Sequence, residues 1–350
     1  MKGSTLRDVA REAEVSIASA SRAINRVGTV TDEVRERVLE AASRLNYVPH
    51  WGARSLVKSR TNTVGLLLPD IYGEFFSEII RGIDDAARMR SLHLLVSGSH
   101  GDLTEATAAM YAMSGRVDGL LVMSASVDSQ DLAAALPLHV PLVTIGSRID
   151  GVGQGAIRID NFGGACAAVR HLAATGRRRI AFIRGPAENF EAQERLRGFG
   201  VTTAELFPGT ELLTREGDFT ECSGYGAMCA FLALGEAPDG VFVANDMMAV
   251  GALLAIKEAG LRVPDDIAVV GFDDIPLARF VSPPLSTLRV GVYELGRQAL
   301  ELLVGAIDRK NESDSKGEAN TESNAKDIVI SPELVVRESS KREVRKAAGT

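Results

Sequence analysis

The chain is poor in the residues that build secreted, metal-bound or catalytic frameworks. It has three cysteines in 350 residues (Cys166, Cys222 and Cys229), too few and too irregularly spaced for a disulfide scaffold or a zinc site. They read as reduced thiols, with Cys222 and Cys229 expected to be small buried hydrophobes about two turns apart on one helix. The five histidines, at 50, 93, 100, 139 and 171, form no metal-ligand spacing. No apolar run approaches the ~18 residues of a membrane span. Near the start, Asp8, Glu12 and Glu14 stand where an export signal needs an apolar stretch, so a cytoplasmic location is expected. No nucleophile–base pair stands out, and neither an enzyme nor a cofactor is expected. Two superficial matches fail. Gly151-Val-Gly-Gln-Gly155 has the wrong spacing and position for a dinucleotide loop. Ser55-Leu-Val-Lys58 has no base or oxyanion partner.

What is present is ordinary globular material: 45% hydrophobic and 24% charged residues, enough for two or three domains with cores of their own. The net charge of −7 is unevenly distributed. Residues 1–60 hold eleven Lys/Arg against seven Asp/Glu, a surplus of +4, which leaves the remainder at −11. A basic tip on an acidic carrier is the charge pattern of a nucleic-acid-binding head.

The head reads as three short helices. Thr5 caps a stretch with Leu6, Val9, Ala10 and Ala13 on one face. Ser16 can cap a second helix, Ile17 to Asn25. A third begins at Thr31, its stripe formed by Val34, Val38, Ala41 and Leu45. Two helices about three residues apart with a third in support suit a helix-turn-helix, and any small three-helix bundle equally. Residues 48–60 follow as a linker too short for an independent helix, with Gly52 inside it.

From Thr63 short apolar runs alternate with helical periods. Val64–Leu68, Leu92–Val96, Gly119–Met123 and Pro141–Ile145 are read as strands of a first lobe. Ile180–Ile183, Gly240–Val243 and Ile267–Val270 are read as strands of a second. Parallel sheets covered on both faces, with a cleft between lobes, are the expected architecture. Residues 308–326 have no apolar period and read as a solvated, disordered loop.

Five segments resemble the LacI/GalR family of bacterial transcription regulators: Thr5-Leu-Arg-Asp-Val-Ala10, Val15-Ser-Ile-Ala-Ser-Ala-Ser-Arg22, Asn46-Tyr-Val-Pro49 with Ala53-Arg-Ser-Leu56, Val243-Ala-Asn-Asp-Met247, and Val270-Gly-Phe-Asp-Asp274 with Pro283-Pro-Leu-Ser-Thr287. The resemblance covers roughly residues 4–338. It implies a small all-α helix-turn-helix head plus an α/β two-lobed body like a periplasmic binding protein. The divisions are 1–47 for the head, 48–60 for a hinge helix and 61–340 for the body. Lobe 1 would take about 61–160 and 289–307, and lobe 2 about 161–288 and 327–340.

The resemblance also implies a function: a ligand-responsive repressor, most simply of sugar uptake or catabolism genes. It would bind a pseudo-palindromic double-stranded DNA operator with a central CG step as a homodimer. The DNA-binding residues would be Thr5, Ser16, Ile17, Ala18, Ser21, Arg22, Asn25, Ala53, Arg54 and Leu56. Arg22 suits guanine in the major groove, and Leu56 a minor-groove wedge. The effector, a sugar or sugar derivative, would meet Phe75, Phe76, Arg195, Phe219, Asn245 and Asp273. A purine-like or phosphorylated corepressor is the alternative. A sugar-binding transport protein is the alternative of another class, disfavoured by the head and the start of the chain. The chain departs from the family pattern at Glu14, where Gly is usual and φ > 0 is expected, at His50 and Gly52 in the hinge, and at Gly146, where Asp is frequent.

Overall fold

A computed structural model describes residues 4–25, 28–47, 60–123, 140–146, 153–316 and 326–341, which fall into two units meeting at Thr61/Asn62. The hinge residues, including Trp51, Ala53, Arg54 and Leu56, lie outside the described residues.

The first unit holds α1 (Leu6–Glu12), α2 (Ile17–Asn25) and α3 (Asp32–Arg44). Thr5 and Asp8 form a reciprocal capping box at α1, and Thr31 caps α3. Ser16 accepts from the Ser19 N–H at 3.0 Å, so its hydroxyl is engaged in capping α2. The core is small: Val9, Ala10, Ala13, Ala20, Ala23, Val38 and Ala41, with Leu6, Val34 and Leu45 packed around it. Glu14 turns the chain between α1 and α2 with φ 54, a left-handed conformation held by Val15 N–H donating to Ala10 O at 3.0 Å. The tight turn therefore survives the loss of glycine, at the cost of a strained residue.

The second unit contains two six-stranded sheets. The first runs β11-β5-β4-β3-β1-β2, all parallel, built from β1 (Thr63–Leu68), β2 (His93–Gly98), β3 (Gly119–Met123), β4 (Leu142–Ile145), β5 (Gly155–Ile159) and β11 (Lys326–Ile330). The second runs β12-β10-β9-β8-β6-β7, from β6 (Ile180–Arg184), β7 (Leu213–Glu216), β8 (Gly240–Val243), β9 (Ala268–Asp273), β10 (Ser286–Arg289) and β12 (Glu333–Val335). Only β12 is antiparallel to its neighbour. Helices α4 (Glu74–Met89), α5 (Leu103–Met113) and α10 (Val292–Lys316) pack on the first sheet. The second is packed by α6 (Asn161–Ala174), α7 (Phe190–Leu206), α8 (Glu221–Leu232) and α9 (Asp246–Glu258). Most central strands are buried along their length, as a doubly covered parallel sheet requires. Phe182, Phe199 and Phe242 stack at the centre of lobe 2, with ring centroids 5.1 and 4.7 Å apart.

Helices α8 and α9 cross almost backbone to backbone. A Cβ on Gly224 would overlap the Met248 carbonyl, and one on Gly251 the Glu221 carbonyl, so each helix lends the other a glycine.

Three expectations are corrected. The stretch 308–326 is not loop throughout: α10 carries on to Lys316, because polar residues with adequate helix propensity extend a helix already anchored on the sheet. Residues 326–330 belong to lobe 1, not lobe 2, because β11 pairs with β5 and Asp160 N–H donates to Ile330 O at 2.8 Å. Cys222 is exposed and Cys229 half-buried, and only Cys166 is buried. The chain passes between lobes three times: after β5, after β10 and after β11.

Candidate functional site

On the head, α2 leaves one face open. Ile17 is 46% exposed, and Ala18 and Arg22 are exposed beside it. Ser21 and Asn25 are half-buried and joined by a 3.3 Å hydrogen bond, while Thr5 is engaged in the capping box. A free guanidinium next to short apolar side chains on one helix face is what major-groove reading needs: a bidentate donor for guanine and contacts for thymine methyls.

The body supplies a second site. A cavity of about 490 Å³ lies between the lobes, within the range of small-molecule pockets. All six residues expected from the sequence line it: Phe75, Phe76, Arg195, Phe219, Asn245 and Asp273. Five of the six reach it from near an element end, and Arg195 reaches it from the second turn of α7. Phe75 and Phe76 open α4, their rings edge to face at 5.4 Å. Phe219 lies between β7 and α8, with φ 72. Asn245 caps α9, and Asp273 ends β9 with φ 110. Two non-glycine residues held at positive φ beside one cavity are strain concentrated at a site.

The polar groups differ in how far they are committed. Arg195 is 3% exposed and lies over the Phe272 ring at 3.8 Å. Its Nε donates to Asn161 Oδ1 at 2.8 Å, its Nη1 donates to Ala244 O, and its Nη2 stands 3.8 Å from Asp273 Oδ1. Asn245 is largely spent on the fold: Oδ1 accepts from Met248 N–H and Nδ2 donates to Phe219 O, both at 3.0 Å. The Asp273 carboxyl is pushed up to about 7 by burial, with Arg195 pulling the other way. Its Oδ1 is buried without a hydrogen-bond partner.

Two neighbours were missed by the sequence reading. Asp246 is fully buried at the start of α9, accepting from Thr287 Oγ1 at 2.6 Å and Ile275 N–H at 3.0 Å. Burial and the nearby Asp273 raise its pKa well above the ordinary range. It ties β9 and β10 together beneath the site. Glu191 also lines the cavity. Its spacing of four from Arg195 on one helix is the signal that could have found it.

The lobes are also joined at the cleft mouth. Glu74 Oε2 accepts from the Leu277 N–H at 2.8 Å, and the Tyr72 hydroxyl donates to Glu221 at 3.3 Å. Among the described residues no cluster of His, Cys, Asp or Glu could hold a metal, and no helix is long and apolar enough to cross a membrane.

A three-helix head with one exposed face on its second helix and a two-lobed α/β body around a lined cleft define a class, and comparisons with known proteins agree. Residues 5–50 match the bacterial regulatory proteins of the lacI family, and residues 169–340 a periplasmic binding protein-like domain. The chain belongs to the lacI family of DNA-binding transcriptional repressors, which are not enzymes. It is 36% identical over 342 residues to the HTH-type transcriptional repressor PurR of Edwardsiella ictaluri (strain 93-146), covering 96% of each chain. The lac repressor dimer bound to operator and the anti-inducer ONPF superimposes with a TM-score of 0.80 at 29% identity, over 97% of this chain and 100% of that one. A complex of the transcriptional regulator CelR with cellobiose gives 0.68 at 32% identity, over 96% and 99%.

Proposed function

We propose that this protein is a homodimeric, cytoplasmic repressor of sugar uptake or catabolism genes, whose operator affinity is set by an uncharged, hydroxyl-rich small molecule in the interlobe cavity. In this reading α2 enters the major groove of each half of a pseudo-palindromic operator. Arg22 reads guanine, Ile17 and Ala18 meet thymine methyls, and Thr5, Ser16, Ser21 and Asn25 stand by the phosphates. Ala53, Arg54 and Leu56 form the hinge, with Leu56 wedged at a central CG step.

The observation that carries the effector reading is the state of the cavity's polar groups. Among the described residues that line the cavity the one cation, Arg195, has two of its nitrogens hydrogen-bonded, while Asp273 keeps an oxygen without a hydrogen-bond partner. The lining asks for donors, and hydroxyls are donors. Phe75, Phe76 and Phe219 offer faces for the C–H side of a sugar ring. A phosphorylated metabolite suits it poorly, since Asp70, Glu188, Glu191, Asp218 and Asp273 all line the same space. A purine base is the second reading, favoured by the similarity to a repressor named PurR and by the aromatic residues.

The test is a gel-shift titration of the full chain against genomic fragments at fixed salt, with and without sugars and purine bases. Specific binding shifted by a neutral sugar, and weakened roughly tenfold or more by Arg22→Ala, is the expected result. Equal affinity for all fragments, or a response to purines alone, would sink the corresponding half of the reading.

A further inference from the structure

Gly146 follows β4 with φ 88, and a Cβ built on it would lie 2.8 Å from Glu191 Oε1. The Glu191 carboxyl therefore occupies space that any side chain at 146 would contest. Glu191 sits in the first turn of α7, four residues before Arg195, and lines the cavity. Its Oε1 is shut off from solvent and has no hydrogen-bond partner. Burial raises its pKa, with Arg195 and Asn161 opposing. Asp273 Oδ1, on the other side of the same guanidinium, is also orphaned and also lines the cavity. Asn161 bonds to the Glu191 carboxyl and Arg195 Nη2 stands 3.8 Å from Asp273 Oδ1, yet each acid keeps one buried oxygen without a hydrogen-bond donor beside the cavity, which is costly to the free protein.

We propose that Glu191 is a ligand-binding residue that selects the effector: it takes one hydroxyl of an uncharged polyol while Asp273 takes a second hydroxyl of the same molecule. This rests on the reading of the cavity as the effector site. A small shift of the Glu191 side chain toward the cavity exposes its oxygen to a ligand. Neutrality follows from the charges present. Among the described residues, an anionic ligand would share the cavity with Asp70, Glu188 and Asp218 and with two acids whose ionised forms burial already disfavours, and Arg195, which already stands by both acids, disfavours an added cation. Gly146 makes the arrangement possible, because a side chain there would displace the Glu191 carboxyl from its place.

The test uses the full chain, with calorimetric titration and thermal melts. The probes are ribose, glucose and cellobiose, the phosphate esters ribose 5-phosphate and glucose 6-phosphate, and hypoxanthine. At least one neutral sugar should bind the wild type. Glu191→Gln should weaken it roughly ten- to a hundredfold, as loss of a buried hydrogen bond to the ligand predicts, while the unliganded variant melts higher than the wild type. Glu191→Asp, with its carboxyl drawn back one methylene, should bind with intermediate affinity. A structural role predicts the opposite sign for the unliganded melt, a lower value in Glu191→Gln. Equal sugar affinity in wild type and Glu191→Gln would overturn the assignment of Glu191 while leaving the sugar reading intact. Binding of hypoxanthine or of a phosphate ester alone, or of no neutral sugar at millimolar concentration, would overturn both.

Discussion

The side chain of Glu74 accepts a hydrogen bond from the backbone N–H of Leu277, 203 residues away and in the other lobe, at 2.8 Å. Glu74 is the first residue of α4, and Leu277 lies in the short 3-10 helix Pro276–Arg279. The bond spans the cleft, so it forms only when the lobes are close. A lobe that can open and shut around a ligand by rigid-body motion needs such contacts to be few and individually weak.

Glu74→Ala should therefore loosen closure without unfolding either lobe. The expected loss is about 1–2 kcal/mol, the value of one charge-assisted hydrogen bond across the cleft. Hydrogen exchange read at the Leu277 amide should speed up by roughly tenfold or more. Unchanged protection at that amide would mean the lobes are held shut by other contacts.

Glu14→Gly should stabilise the head. Glu14 holds φ 54 in the turn between α1 and α2, where glycine meets no steric penalty. A gain of about 1 kcal/mol is expected in chemical denaturation followed by a head-specific probe. Glu14→Ala serves as the control and should bring no such gain, since alanine pays the same Cβ penalty.

Asp273 should make stability depend on pH. Its pKa rises from an ordinary 3.8 to about 7 in the folded protein. The folded state thus holds a proton that the unfolded chain releases, so stability falls as pH rises from about 4 to about 7. Glu191 and Asp246, also raised by burial, act in the same direction. Asp273→Asn should flatten this slope, with a melting temperature that gains on the wild type as pH increases, by on the order of a few kcal/mol at pH 8. Parallel pH profiles for the two proteins would show that Asp273 is ionised in both states.

Gly251→Ala should be among the most damaging single-methyl additions in the body. The new methyl would meet a backbone carbonyl of α8, which cannot move aside as a side chain can. A loss of about 3 kcal/mol or more is expected from thermal or urea unfolding. Gly226→Ala, on the same helix pair but facing open space, should cost little and isolates the close approach as the cause.

Much of this organisation was legible because burial writes itself into composition. Strands buried on both faces, such as Gly119–Met123 and Gly240–Val243, are unbroken apolar runs. Helix α9 carries its start signal in the sequence, a capping Asn245 followed by an acidic Asp246 in its first turn. What stayed hidden depends on tertiary pairing. The edge strand β7 is Leu-Thr-Arg-Glu, half-exposed and without an apolar signature. Helix α7 buries Arg195, Thr202 and Thr203 beside Ala192 and Phe199, so polar residues mask its period. The allegiance of 326–330 to lobe 1 is decided by a strand more than 160 residues earlier. Glu191 was overlooked for the same reason. A glutamate in a helix's first turn ordinarily faces water, and only the fold places it against Gly146.

The three passages between lobes bear on how the molecule is made. During synthesis the β11 edge of the first sheet stays unfilled until residues 326–330 have left the ribosome, and β12 completes the second only a few residues later. Although lobe 1 begins near residue 62, its sheet is completed only a few residues before that of lobe 2. A premature stop anywhere before β11 would leave two open sheet edges on one chain, each a template for pairing with a neighbour. Late truncations should thus yield aggregates rather than a functional single lobe, and quality control of this protein is concentrated in its last few dozen residues.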